Sequence, residues 1–349
     1  MGGGDAASKP SAKEPYSITF LQAAGYLVYL IVTTSIKRLL GGKPLVDGWS
    51  IQTEIGTKFL ARVAAADVPS LRVVGPWITF FGNLTLKTRL APLKTDQFDA
   101  IWYGDALNDA SDANVLYFHG GGFVWCQAST YAHGIAGIQS FAKSQHKKTL
   151  AVLGLEYKLA PEAKFPSQLH EALEAYEYLT ARSSKPIFLL GDSAGGNLVL
   201  SLLLALKQPD NKHLRRPTAA VAVSPWCQLD EDKIPPSYAK NRATDYVAGD
   251  CLAHYVRDYV GAASVKDPLV NPILGDYRGC CPILIHYGGK EIFQDDVEAL
   301  GEILREQQVD VTLVKSPLAP HITPMLPTVF GEMALSGEQV IAAFMAKFA

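Results

Sequence analysis

From about residue 112 onward, short wholly apolar runs alternate with longer segments of helical spacing. Residues 114–118, 149–156, 186–190, 218–224, 282–286 and 311–314 are apolar without polar alternation, which predicts strands covered on both faces. Residues 129–144, 167–179, 194–206, 295–307 and 336–348 read as helices. Strands interleaved with helices predict βα units, and so an α/β fold with a mostly parallel central sheet flanked by helices.

Two regions interrupt this alternation. Residues 16–90 precede it. Residues 226–265 sit between strands and contain a tyrosine-rich, helix-like stretch at 246–260. Insertions over a sheet are where a cap or substrate pocket is built. The predicted organisation is a disordered Gly-, Ala-, Ser- and Pro-rich tail at 1–15, an N-terminal apolar segment and cap at 16–90, and a main domain at 91–349 with a cap insertion at about 226–265.

Residues 16–36 carry no charge over 21 positions, enough to cross a bilayer as a helix, although serines, threonines and Gln22 dilute them. Three readings compete: a membrane anchor, a helix lying over the site or in the membrane interface, and a cleaved signal peptide. The polar stretch ahead and the lack of an A-x-A site argue against the last. If the segment spans, Lys37, Arg38 and Lys43 outnumber Lys9 and Lys13, which favours a cytosolic body. An intracellular setting is expected, cytosolic or membrane-associated, the endoplasmic reticulum being one such membrane. The MGGG start resembles a myristoylation signal, but Ala6 stands where Ser or Thr is wanted. The sequon at Asn83 matters only in a secretory lumen.

Composition narrows the function classes. With 349 residues, 48% hydrophobic and 19% charged, the chain buries a large core. A net charge of -2 excludes global steering toward nucleic acid. Five cysteines without a CxxC pair argue against a zinc or thioredoxin-like site, and the expectation is idle thiols in a reducing compartment.

Two glycine motifs carry the chemistry. Gly191-Asp192-Ser193-Ala194-Gly195-Gly196 joins a predicted strand to an apolar helix. A serine on such a tight turn is held clear of the sheet, and the Ala194 N–H behind it can meet an oxyanion. His119-Gly120-Gly121-Gly122-Phe123 follows another strand directly, and its glycines free backbone N–H groups to face a ligand. HGGG upstream of G-x-S-x-G is the pairing expected of lipases and esterases.

With these motifs the chain resembles the hormone-sensitive-lipase group of α/β-hydrolases, which includes bacterial esterases, plant carboxylesterases and fungal steryl acetyl hydrolases. The resemblance rests on HGGGF at 119–123, YKLAPE at 157–162, GDSAGGN at 191–197 and DPLVNP at 267–272, and covers roughly residues 85–349. Lys158 stands where the family usually has Arg, and Asn271 where it often has Ser. The resemblance implies an oxyanion hole of the Gly121, Gly122 and Ala194 N–H groups.

Chain order in this fold requires serine, then acid, then histidine. His286 lies within an apolar strand and is expected to be structural. His321 follows the last strand and a proline-rich loop, where a base reaches the serine, and the family's histidine also stands there. Aligned with the family pattern, Glu291 takes the acid's position in GGKEIFQDD, with Asp295 as runner-up; Asp295 and Asp296 also suit capping of the following helix.

The expectation is a serine carboxylesterase or deacetylase that cleaves an ester of a small to medium apolar molecule through an acyl-enzyme, with no metal or cofactor. Phe123, Trp125, Trp226, Tyr246 and Tyr255 are candidates to line the pocket. A second reading keeps the triad for acyl transfer, lactone chemistry or cyclisation. A third, a non-catalytic binding module, conflicts with retention of Ser193, His321 and an acid. The expected partners are a small-molecule ester and a membrane contact through residues 16–36, with no nucleic acid; the sequence leaves the oligomeric state open.

Overall fold

The computed structural model describes residues 14–107, 110–247 and 249–349. Most of the 1–15 tail, with the MGGG start, lies outside them. Three helices come first: α1 (Phe20–Leu39), α2 (Ile51–Ala64) and α3 (Val68–Gly82). Strands β1 (Leu90–Lys94), β2 (Asp99–Tyr103) and β3 (Ala113–Phe118) follow, then α4 (Ala132–His146), β4 (Leu150–Leu155), α5 (Ser167–Arg182), β5 (Ile187–Asp192) and α6 (Ala194–Ala205). After β6 (Ala219–Val223) come α7 (Pro236–Asn241) and α8 (Gly249–Val260), then β7 (Ile283–Gly288), α9 (Gln294–Glu306), β8 (Val311–Ser316), α10 (Pro327–Phe330) and α11 (Glu332–Phe348).

The strands form one eight-stranded sheet in the order β1-β2-β4-β3-β5-β6-β7-β8. From β4 to β8 every pairing is parallel, while β1–β2 and β2–β4 are antiparallel. The antiparallel pair extends the predicted sheet by two strands that the apolar-run pattern does not reveal. β1 is an edge strand with Pro92 in it, and none of its residues is fully screened from water, so no buried run exists to see.

Five of the parallel strands, β3 to β7, are wholly buried because helices cover both faces, while the edge strand β8 is only partly covered. Leu116, Phe118, Ile187 and Leu189 point to one core, shared with α5, α6 and α9. Val115, Tyr117, Phe188 and Leu190 point to the other, shared with α4 and α11. All twelve residues of α6 are buried. Each large apolar side chain so covered contributes roughly 1.5–3 kcal/mol relative to exposure.

The three N-terminal helices lie over one end of this body. Trp49, fully buried, donates its indole N–H to Leu318 O at 2.7 Å, and Arg72 reaches Val124 O at 2.9 Å and Glu162 at 2.7 Å. Glu54, also fully buried, gathers Lys58 at 2.6 Å, Arg38 at 3.3 Å and Lys37 at 3.7 Å. Its carboxyl sits below the usual range, burial being outweighed by these cations and the Leu45 N–H. All five cysteines are free thiols.

Candidate active site

The chain reverses winding direction between β3 and β5, so the loops leaving these neighbouring strands diverge and open a crevice at their carboxyl ends. Phe118 pairs with Gly191 across it. The two glycine motifs therefore meet in space, although 72 positions separate His119 from Gly191.

Ser193 sits at φ 53, ψ −117, between the end of β5 and the first residue of α6. For a residue with a side chain this is a strained conformation. It is held by three backbone bonds: Ser193 N donates to Val223 O at 2.9 Å, and Ser193 O accepts from Asn197 N and Trp226 N, both at 3.0 Å. A Cβ at Gly195 would collide with the Phe118 carbonyl, so the elbow demands glycine there. Beneath the turn, Asp192 is fully buried, and the Tyr117 hydroxyl donates to it at 2.6 Å. Burial lifts its carboxyl to about 7.

Gly121 and Gly122 adopt φ 115 and φ 61 and border the same cavity as Ser193. Their Cβ atoms would strike the Trp125 carbonyl and the Tyr255 ring. Ala194 opens α6 and is completely buried behind the serine. His119 is part of the scaffold. Its ring stacks on Tyr157 at 4.2 Å, and the Tyr157 hydroxyl donates to His119 O at 2.6 Å. Burial depresses its imidazole to about 4.

His321 follows β8 across a four-residue loop and is 2% exposed. Its Nδ1 lies 3.3 Å from Glu291 Oε2, which leaves the buried Nε2 without a protein partner in the cavity that Ser193 also lines. The loop carrying Glu291 runs alongside: Gly289 N donates to Ser316 O at 2.8 Å and Lys290 N to Ala319 O at 3.0 Å. Burial raises the Glu291 carboxyl to about 8, opposed by the Ser224 hydroxyl and the Gly288 backbone. Burial also lowers the His321 imidazole to about 4, with Asp245 pulling upward. His321 is therefore neutral near pH 7, as a proton acceptor must be.

Asp295, the other acid considered, is turned away from His321. Its carboxylate accepts from Ser237 N at 2.8 Å, fastening α7 to α9. It does not cap α9 either, whose N-cap residue, Phe293, supplies no side-chain bond. His286 lies in β7, with Nε2 2.9 Å from Ser316 Oγ.

Trp125, Trp226, Tyr246 and Tyr255 line the cavity, together with Phe293 and residues of α2 and α8. Phe123 does not. Its ring stacks on Tyr259 at 3.8 Å and is completely sealed from solvent. A φ of 64 turns its side chain under the glycine loop, so its place is in the core and its assignment to the pocket is corrected. The cavity measures about 60 Å³.

One residue at the site escaped sequence reasoning. Asp245, from the insertion, is buried and joins the loops that carry Glu291 and His321. It accepts from Ile292 N at 2.7 Å, next to Glu291, and from His321 N at 3.4 Å. Burial raises its carboxyl to about 6. No spacing or motif marks it; only the folding of the insertion over the sheet brings it there. Two further residues of the family motifs are structural. Asn197 Nδ2 donates to Trp226 O and Val270 O, and Asn271 Oδ1 accepts from Leu229 N at 3.0 Å.

A profile of the family described as "alpha/beta hydrolase fold" matches residues 115–325, more than half of the chain. An acetyl-hydrolase of Streptomyces hygroscopicus is 30% identical over 234 residues, covering 65% of this chain and 74% of that protein. The carboxylesterase/phospholipase LipF of Mycobacterium tuberculosis is 34% identical over 232 residues, covering 63% of this chain and 59% of that protein. A crystal structure of an esterase from the bacterial hormone-sensitive lipase family superposes with a TM-score of 0.73 at 28% identity, covering 86% of this chain and 98% of that one.

Proposed function

The chain belongs to the α/β-hydrolase family, in its hormone-sensitive-lipase-like group, and on that premise we propose that it is a serine carboxylesterase or deacetylase with Ser193 as nucleophile, His321 as base and Glu291 as the acid that orients it. The observation that carries this reading is that Ser193, strained at the elbow, and His321, gripped at Nδ1 by Glu291, border one cavity.

The reaction follows from these groups. His321 Nε2 takes the Ser193 hydroxyl proton as Oγ bonds to the ester carbonyl carbon. The carbonyl oxygen gains a negative charge, met by the N–H groups of Gly121, Gly122 and Ala194. The C–O bond to the alcohol breaks, and His321 returns the proton to the departing oxygen. Water then attacks the acyl-enzyme, with His321 again taking the proton, and Ser193 is released.

A cavity of this size, walled by aromatic rings, suits a short acyl group such as acetyl on an apolar alcohol. Helices α1–α3 together with α7 and α8 form the cap, and the remainder forms the catalytic domain. The enzyme works in an intracellular compartment, a reading its five free thiols support, and touches a membrane through residues 16–36.

Hydrolysis of p-nitrophenyl esters from acetate to palmitate tests the reading. The expected outcome is activity on the short chains that falls at least roughly 10³-fold in Ser193→Ala. Undiminished turnover in that variant would remove Ser193 from the chemistry.

A further inference from the structure

We propose that α1 and α3 together form a docking face for a lipid bilayer, with α1 lying flat in the interface and not crossing it. This deepens the membrane contact proposed above and stands independently of the esterase chemistry.

Helix α1 is long and apolar enough to span, but only Ala23, Leu30 and Thr34 of its twenty residues are buried. Leu21 is 79% exposed, Leu39 85% and Leu40 83%. Phe20 continues the surface onto α3, stacking on Phe81 at 5.9 Å and meeting Trp77 at 5.4 Å. There Val73, Trp77, Phe80 and Phe81 are all half or more uncovered, or close to it. Apolar surface of this extent on a soluble body marks a binding face.

Both ends of α1 are fastened to the body. At its start, Ser17 Oγ donates to Asp67 Oδ2 at 2.6 Å and Ile18 N to Ser70 Oγ at 3.0 Å. At its end, Arg38 donates to Glu54 and to Trp49 O, each at 3.3 Å. A twenty-residue helix is about 30 Å long, so a spanning α1 would set these anchors on opposite sides of the bilayer. The neighbouring α2, with Glu54, Lys58 and Arg62, would then be drawn into hydrocarbon, at a prohibitive cost for ionised groups. Lying flat satisfies every anchor and leaves the exposed apolar side chains for acyl chains.

The charge distribution selects the occupant. Residues 14–90 hold eight Lys and Arg against four Asp and Glu, whereas residues 91–349 hold 22 against 29. A basic helical layer on an acidic body is drawn to an anionic bilayer surface. Aromatic rings such as Trp77 and Tyr29 suit the headgroup level. On its other side α3 packs against the pocket wall, Gly75 lying against the Trp125 ring, so the cavity sits about one helix thickness beneath the docking face.

The test is co-sedimentation of the purified full chain with vesicles of phosphatidylcholine, with and without phosphatidylserine. Binding is expected, stronger with phosphatidylserine. It should fall at least roughly tenfold in Trp77→Ser/Phe81→Ser on α3 and likewise in Val28→Ser/Val32→Ser on α1. Vesicles should blue-shift the tryptophan emission of wild type but not of Trp77→Phe. Hydrolysis of water-soluble p-nitrophenyl acetate should be unchanged in all variants. If that hydrolysis is missing from wild type while vesicle binding behaves as described, the esterase reading fails and the docking face stands. The proposal is overturned if vesicles do not bind, if the α3 pair binds as wild type, or if light scattering finds a dimer that these substitutions dissociate.

Discussion

Two apolar helices of this molecule meet opposite fates. α6 is short, and every one of its residues is buried between the sheet and its neighbours. α1 is longer and carries an apolar run diluted by polar residues, yet it buries three residues and leaves eleven exposed. α6 leaves a strand at an elbow and is covered on all sides by β5, β6 and α5. α1 precedes the sheet and packs chiefly against α2 and, more sparsely, α3. Apolarity dictates that a helix leaves water; its neighbours decide what it leaves water for. The burial of α6 makes the Ser193 turn rigid, and the exposure of α1 creates a surface.

Four substitutions sharpen or break this contrast, beginning with the rigid end. Glu291→Gln keeps the side-chain shape but replaces the carboxyl that holds His321 Nδ1 with an amide. The kcat/KM for a short ester should fall roughly 10²–10⁴-fold with the urea midpoint nearly unchanged, and retained activity would remove Glu291 from the triad. Leu202→Ala, within α6, should cost about 3 kcal/mol in urea unfolding.

Glu338→Gln probes the same rigid core at α11. Glu338 is buried beside Gly137, and burial alone lifts its carboxyl from 4.5 to about 8. A raised carboxyl costs nothing below its unfolded pKa and destabilises progressively as pH rises from 4.5 to about 8. The glutamine variant should match wild type at about pH 4 and exceed it by several kcal/mol at about pH 9. An advantage that does not grow with pH would deny Glu338 this role. Leu39→Ala on α1 should change stability by no more than about 0.5 kcal/mol. A cost equal to that of Leu202→Ala would show that α1 is covered within the protein and would erase the contrast.

Much of this was legible along the chain. The parallel strands β3 to β7 betray themselves as unbroken apolar runs because both their faces are covered, and the edge strand β8 shows the same signal in a shorter apolar run although it is only partly covered. The elbow and the glycine loop are local, since a positive φ and a close backbone approach require glycine at fixed offsets from the serine and the strand. The edge pair β1–β2 was illegible because half-covered strands lack the run. Helices α2 and α3 merged into a featureless cap, α3 carrying Gly75 and Pro76 in its interior, residues that ordinarily break the helical pattern. Phe123 looked like a pocket residue because it adjoins the glycine loop, but its backbone angle turned it into the core. Asp245 carried no signal at all.

The sequence by itself determined the fold class and the tight strand-to-helix turn at Ser193, because each depends on local backbone geometry or on periodicity. Tertiary structure alone decided that Glu291 and not Asp295 meets His321, since four residues along a turn into a helix aim two carboxylates in different directions. It also decided that Asp245 joins two loops 46 and 76 positions away, and that α1 has a partner on only one side. These depend on which surfaces the fold brings together, and separation along a chain does not encode distance in space.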